Sequence, residues 1–161
     1  MLQGLAPIVS GDMRLVVLGS FPGARSLALQ QYYAHPQNQF WKILSALWQV
    51  DLLTASYAER CAVLLAHRLG LWDVYARCER QGSLDSAIRN PVVNNFAALA
   101  RDCRGLQATA HNGGESFRNA GKTLLNIPAH RLPSTSPAHA SWSFSRKLDA
   151  WQVVFAQHGL V

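Results

Sequence analysis

The chain is poor in cysteine, poor in lysine and free of long apolar runs. Its three cysteines, Cys61, Cys78 and Cys103, form no CxxC pair. Scattered in this way they exclude a disulfide framework, a cysteine-built structural zinc and an iron–sulfur cluster. They fit a reducing compartment, so a cytoplasmic protein is expected. No apolar run nears the length of a membrane span. Met1 to Gly11 lacks both a basic start and a long apolar core, which speaks against a secretory signal. Low-complexity tracts and internal repeats are absent as well. Six histidines are present, at 35, 67, 111, 130, 139 and 158, but none has metal-ligand spacing to cysteine or acidic partners. No metal and no cofactor is therefore expected.

What is present is an ordinary globular composition, 49% hydrophobic over 161 residues. That length suits one domain, residues 1–161, with a sizeable core. Fifteen Lys and Arg stand against nine Asp and Glu, a net charge of +6. Only Lys42, Lys122 and Lys147 are lysines; the remaining cations are arginines, whose planar fork suits phosphate. The balance favours a polyanionic partner such as nucleic acid, acting on a protein expected to be a monomer.

Four short apolar runs, 14–19, 70–75, 106–111 and 130–134, read as strands. Helical patterns separate them. Asn38 can cap a helix with apolar positions Phe40, Trp41, Ile43, Leu44, Leu47 and Trp48. Ser56 to Glu59 is a capping-box pattern opening a helix to about Arg68. Asn90-Pro91 reads as N-cap and first residue of a helix to about Cys103, with Gly105 after it. Residues 114–120 fit a short helix, and Ser143 can start a last one to about Gln157. The polar stretch 76–90 reads as a surface loop. Strands alternating with helices imply a mainly parallel sheet covered on both faces.

Two segments then stand out. The first strand runs into Gly19-Ser20-Phe21-Pro22-Gly23, followed by Tyr32-Tyr33-Ala34-His35-Pro36-Gln37-Asn38. A strand broken by such a turn presents backbone N–H groups at the carboxyl edge of a sheet, where α/β proteins build sites. Aromatic planes, an amide and backbone donors are what a flat polar nucleobase requires. The second segment, residues 132–140, is short, rich in hydroxyls and stiffened by Pro133 and Pro137. With parallel strands both emerge at one edge and form two walls of a site.

In order along the chain stand GSFPG, YYAHPQNQFW, GLWDVY, GSLDSAI, HNG and LPSTSPAHA. This ordered set, over residues 14–142, resembles the uracil-DNA glycosylase superfamily, and most closely its hypoxanthine-DNA (deoxyinosine) glycosylase branch. The resemblance implies a three-layer α/β/α sandwich around a four-stranded, mainly parallel sheet. It implies excision of a deaminated base, most readily hypoxanthine, by base flipping and hydrolysis of the N-glycosidic bond. Elsewhere in the superfamily the third position of the first motif is Asp or Asn; here it is Phe21, read as a pocket wall. The catalytic role passes by resemblance to Asn38. Tyr33 resembles the aromatic that stacks on the extruded base, and Tyr32 is assigned to the core. Gly19, Ser20, Phe21, Pro22 and Gly23 would bind the base together with Tyr33. Asn112, after the third strand, would read the base edge, although Asn-Gly is also common turn chemistry. Ser134, Ser136, Pro137, Ala138 and His139 would meet DNA, with His139 as the wedge and Ser134 in place of a cationic or amide group.

Asp73, near the sheet edge, could orient a neighbour or a water. Asp85 reads as an N-cap, and Arg77, Arg80, Arg89, Arg118, Arg131 and Arg146 are candidate phosphate contacts. Neither motif contains a lysine, so no Schiff-base lyase step is expected. Two other readings compete: a glycosylase for uracil, xanthine or a mismatched pyrimidine, and a non-catalytic module that binds damaged or single-stranded DNA. Asn38→Ala separates enzyme from module, because only an enzyme has turnover to lose.

Overall fold

Strand β2 (Leu15–Gly19) is buried at every residue, which is why it reads as an unbroken apolar run rather than an alternating one. In the computed structural model, which describes residues 1–161, β2 pairs in parallel with strands on both sides. In chain order the elements are β1 (Leu2–Gln3), β2, α1 (Ala24–Leu29), α2 (Phe40–Trp48), α3 (Tyr57–Ala66), β3 (Leu69–Asp73), β4 (Tyr75–Glu79) and β5 (Arg89–Val93). There follow α4 (Ala97–Asp102), β6 (Ala108–Asn112), α5 (Gly114–Arg118), β7 (Ala129–Leu132) and α6 (Phe144–Gln157).

The main sheet is four-stranded, parallel, and ordered β3-β2-β6-β7. Successive side chains of β2 point to opposite faces. Leu15 and Val17 join one core with Phe40, Trp41, Ile43, Leu44, Leu64, Trp151 and Phe155, supplied by α2, α3 and α6. Val16 and Leu18 join the other with Phe96, Leu99, Cys103, Val74 and Cys78. The result is the expected three-layer α/β/α arrangement on a four-stranded parallel sheet. In register, Gly19 lies opposite Asp73, Leu18 opposite His111, and Asn112 opposite Leu132. The carboxyl ends of all four strands therefore meet at one edge.

Two expectations fail in the middle of the chain. Residues 90–103 are not one helix: Arg89–Val93 is strand β5, and helix α4 covers only Ala97–Asp102. Residues 76–90 are not simply a loop either, because Tyr75–Glu79 forms β4 and Asp85–Ala87 a 3₁₀ turn. Strands β1, β4 and β5 make a second, antiparallel sheet. Cross-strand pairing overrides the local helix-start signal. The exposed edge position of β5 tolerates Pro91, and register shifts against β4 accommodate the left-handed Asn90 at φ 51°. The second strand also ends earlier than expected. After Asp73 the chain bends, and the N–H groups of Val74 and Tyr75 donate to the carbonyls of Gly19 and Ser20 at 2.8 and 3.0 Å.

Candidate active site

At the carboxyl edge of the main sheet lies a cleft of about 410 Å³, within the range of small-ligand sites, about 300–1,000 Å³. It gathers in one place Gly19, Ser20, Phe21, Pro22, Gly23, Tyr33, Asn38, Asn112, Ser134, Ser136, Pro137, Ala138 and His139. All of these are the residues singled out in the sequence. Three walls and a floor enclose it.

The first wall is the turn after β2 and the segment before α2. Buried Trp41 holds this segment from below by donating its indole N–H to the Tyr32 carbonyl at 3.1 Å. Tyr32 itself is core: it is 3% exposed and donates its hydroxyl to the Ala6 carbonyl at 2.8 Å. Tyr33 adopts a left-handed φ of 54°, which turns its ring the other way, onto Phe40 with centroids 4.2 Å apart. Phe21 is 6% exposed and packs in the second core, so it is both a turn residue and a cleft wall. The N–H groups of Ser20, Phe21 and Gly23 donate to no backbone carbonyl of the protein.

Asn38 lies one residue outside the N-cap of α2, which is Gln39. Its Oδ1 accepts the Phe40 N–H at 2.9 Å, so the amide plane is fixed by the helix start. The N–H of Gln39 donates to the Thr135 carbonyl at 3.0 Å and ties this wall to the next.

The second wall, residues 133–139, is held from below by Trp151, whose indole N–H donates to the Pro133 carbonyl at 3.1 Å. Asn112 clamps it from the side. Its Oδ1 accepts the Thr135 N–H and its Nδ2 donates to Thr135 Oγ1, both at 3.0 Å. Both ends of this amide are thus engaged within the protein, and the geometry makes Asn112 a brace between β6 and the wall. The hydroxyl oxygens of Ser134 and Ser136 accept from the Ser136 and Ala138 N–H groups at 3.1 and 3.2 Å. Each hydroxyl proton remains free to donate outward.

Ser83 to Ser86, within the GSLDSAI motif and the polar stretch expected to be a surface loop, form a third wall to which the sequence assigns no site role. Asp85 is not the N-cap of its 3₁₀ turn, a place held by Leu84; its carboxylate accepts the Ser20 hydroxyl at 2.6 Å. Ser83 Oγ accepts the Ala24 N–H at 2.9 Å. Arg80 donates to the Pro22 carbonyl at 2.6 Å and the Gly82 carbonyl at 2.9 Å, while its guanidinium sits 5.3 Å from the Phe21 ring. Arg89 donates to the Ser86 and Ile88 carbonyls at 2.9 Å. Both arginines brace this wall, and Arg118 pairs with Glu115. The cation that lines the cleft is Arg25, which no motif marked.

The floor is polar and buried. Asp73 is 4% exposed, and its Oδ2 has no hydrogen-bond partner. Burial, then the neighbouring Asp85 carboxylate, push its pKa up to about 7, against the opposing influence of Arg80. The Tyr33 hydroxyl is likewise buried without a partner, and burial and then Asp73 raise its pKa. Gly19 makes this closeness possible, since a Cβ there would meet Asp73 Oδ1 at 2.5 Å and approach the Tyr33 hydroxyl at 3.4 Å. His111, in contrast, is enclosed between Thr109 at 3.0 Å and Ser116 at 2.8 Å. Burial pulls its pKa down to about 4, so it stays neutral and structural. No three His, Cys, Asp or Glu side chains are grouped as a metal site would need.

Chemically, the cleft offers free N–H donors and a protonatable carboxyl on its floor, an amide at one side and hydroxyl donors at its rim. Such a set holds a flat heterocycle by its polar edge and an anionic backbone at the mouth.

Comparison with known proteins gives the family and the fold. The model of the uracil DNA glycosylase superfamily matches residues 7–157. A protein of Methanosarcina barkeri named hypoxanthine DNA glycosylase is 34% identical over 114 residues, 71% of this chain and 72% of that protein. One of the same name from Methanosarcina acetivorans is 32% identical over 158 residues, 95% of this chain and 97% of that protein. The solution NMR structure of a candidate uracil DNA glycosylase from Methanosarcina acetivorans superposes with a TM-score of 0.86 at 28% identity, covering 98% of both chains.

Proposed function

The chain belongs to the uracil DNA glycosylase superfamily and is a DNA N-glycosylase acting on deaminated bases, and from that premise we propose that its substrate is hypoxanthine. The observation that carries the reading of a carbonyl-bearing deaminated base is the floor of the cleft, where a buried carboxyl with a free oxygen stands below unengaged backbone donors. Hypoxanthine presents a carbonyl beside a ring N–H. A neutral Asp73 carboxyl matches that edge, because one oxygen accepts the ring N–H while the other donates to the carbonyl. Uracil and xanthine carry the same edge, and among the three the names of both Methanosarcina relatives favour hypoxanthine.

In this mechanism the lesion flips out of the duplex and enters between Tyr33 and Phe21. A weakly paired base costs less to extrude, which contributes to selectivity. The N–H groups of Phe21 and Gly23 donate to the base as negative charge develops on it during cleavage of the N-glycosidic bond. Asn38, whose Oδ1 is fixed by Phe40 and whose Nδ2 has no partner in the protein, orients the water that attacks C1′. Ser134, Ser136 and Arg25 hold the flanking phosphates, and His139 fills the gap left in the stack. No lysine lines the cleft, so the abasic site leaves intact.

The test uses duplexes carrying a single hypoxanthine, uracil or xanthine, incubated with excess protein and then cleaved with alkali. Cutting strongest at hypoxanthine supports the proposal. Dominant cutting at uracil or xanthine keeps the enzyme class and overturns the base. Strand scission without alkali contradicts the absence of a lyase step.

A further inference from the structure

Resting on the glycosylase reading of the cleft, we propose that Lys147, on the first turn of α6, is a positioning residue that holds the DNA-facing loop so that His139 stands over the cleft mouth. Lys147 is 2% exposed, the one cation among the fully buried residues. Its Nζ donates to the backbone carbonyl of His139 at 2.6 Å. No carboxylate accompanies it; the ion pairs of the protein are Arg68–Asp12, Arg101–Asp102 and Arg118–Glu115. Burying an ammonium without an opposite charge is unfavourable, and burial accordingly lowers its pKa. A methionine of similar length would fill the same space without that cost. The cation is therefore best explained by the group it grips.

That group is otherwise loosely held. His139 donates its N–H to the Ser136 carbonyl at 3.0 Å, but residues 140–142 make no backbone hydrogen bond. Besides Lys147, the loop meets α6 through Arg146, whose guanidinium lies 3.6 Å from the Trp142 ring. Trp142 in turn lies 6.1 Å from the His139 ring. The near half of the wall is anchored separately, by Asn112 on Thr135 and by Trp151 on Pro133. Removing the ammonium therefore frees the His139 end and leaves the pocket braced. The positive charge under the loop also favours the approach of phosphate.

A wedge is needed only where a base must be drawn from a duplex. Lys147→Met is expected to reduce hypoxanthine excision from duplex DNA about tenfold under single-turnover conditions, and to leave excision from single-stranded DNA within about twofold of the parent. Backbone amides 138–142 are expected to exchange hydrogen faster, with the rest of the protein unchanged. Lys147→Arg, which keeps the cation, is expected to restore most of the duplex activity. Unchanged duplex activity, equal loss on both substrates, or unaltered exchange at 138–142 overturns the proposal. If Lys147→Met does not fold, Lys147→Gln, which keeps a shorter donor without charge, is read by the same three measurements. A parent protein that excises hypoxanthine from neither substrate refutes the glycosylase reading, and the exchange at 138–142 still decides whether Lys147 holds the loop.

Discussion

Asp73 concentrates the physical tension of the molecule in one side chain. Its carboxyl is buried, one oxygen lacks a partner, and its pKa rises to about 7. Because the folded value lies above the unfolded one, the native state binds the extra proton. Its stabilising effect is full below the unfolded value of 3.8 and is lost as pH rises through about 7. Thermal stability should therefore decline between about pH 4 and pH 7 and level off above, and decline less in Asp73→Asn; equal slopes in calorimetry contradict the buried proton. Hypoxanthine excision should fall as pH rises through about 7, because an ionised carboxylate cannot donate to the base carbonyl. Asp73→Asn, which keeps a donor and an acceptor, should flatten that fall. Gly19 depends on the same contact. A Cβ there would lie 2.5 Å from Asp73 Oδ1, so Gly19→Ala should cost about 1–3 kcal/mol in denaturant unfolding and disable the floor. The sequence marked Gly19 through its turn, but the partnerless oxygen of Asp73 was invisible there, because it depends on burial from three separate segments.

At the scale of elements, the site is set by where strands stop and what ties the segments after them. Leu15 to Leu18 were legible because a strand buried on both faces carries uninterrupted apolar residues. Ser56 and Ser143 were legible because each cap is a local bond, accepting from Glu59 and Arg146 at 3.1 Å. The Asn90-Pro91 signal was equally local and failed, since pairing of β5 with β4 is a long-range contact that no short window contains. The GSLDSAI motif was visible, but its place as a third wall was not, for the same reason. Its tie, Ser20 to Asp85, spans 65 residues of sequence. That tie is testable. Asp85→Ala removes a hydrogen bond to a charged acceptor, so the Ser83–Ser86 wall should loosen and KM for the damaged duplex rise about tenfold, with kcat less affected. An unchanged KM would mean that this wall does not shape the bound state.

For the whole molecule, charge and architecture act together. The chain carries a net charge of +6, mostly as arginine, and its cleft is lined by Arg25 beside two acids, Asp73 on the floor and Asp85 in the third wall. Affinity for DNA should fall steeply between 50 and 200 mM salt, and Arg25→Ala should lower the slope of log K against log salt by about one. Association that ignores salt would refute a phosphate-tracking mouth. The three-layer scaffold brings Gly19, Asp73, Asn112 and Leu132 to one edge through register alone, which is why scattered motifs converge on one site. The most direct measurement compares the parent protein with Asn38→Ala on a duplex containing one hypoxanthine, following excision and binding side by side. Loss of excision by about a hundredfold or more, with binding nearly unchanged, is the predicted result. Equal excision by both proteins would contradict the account and take the catalytic role away from Asn38.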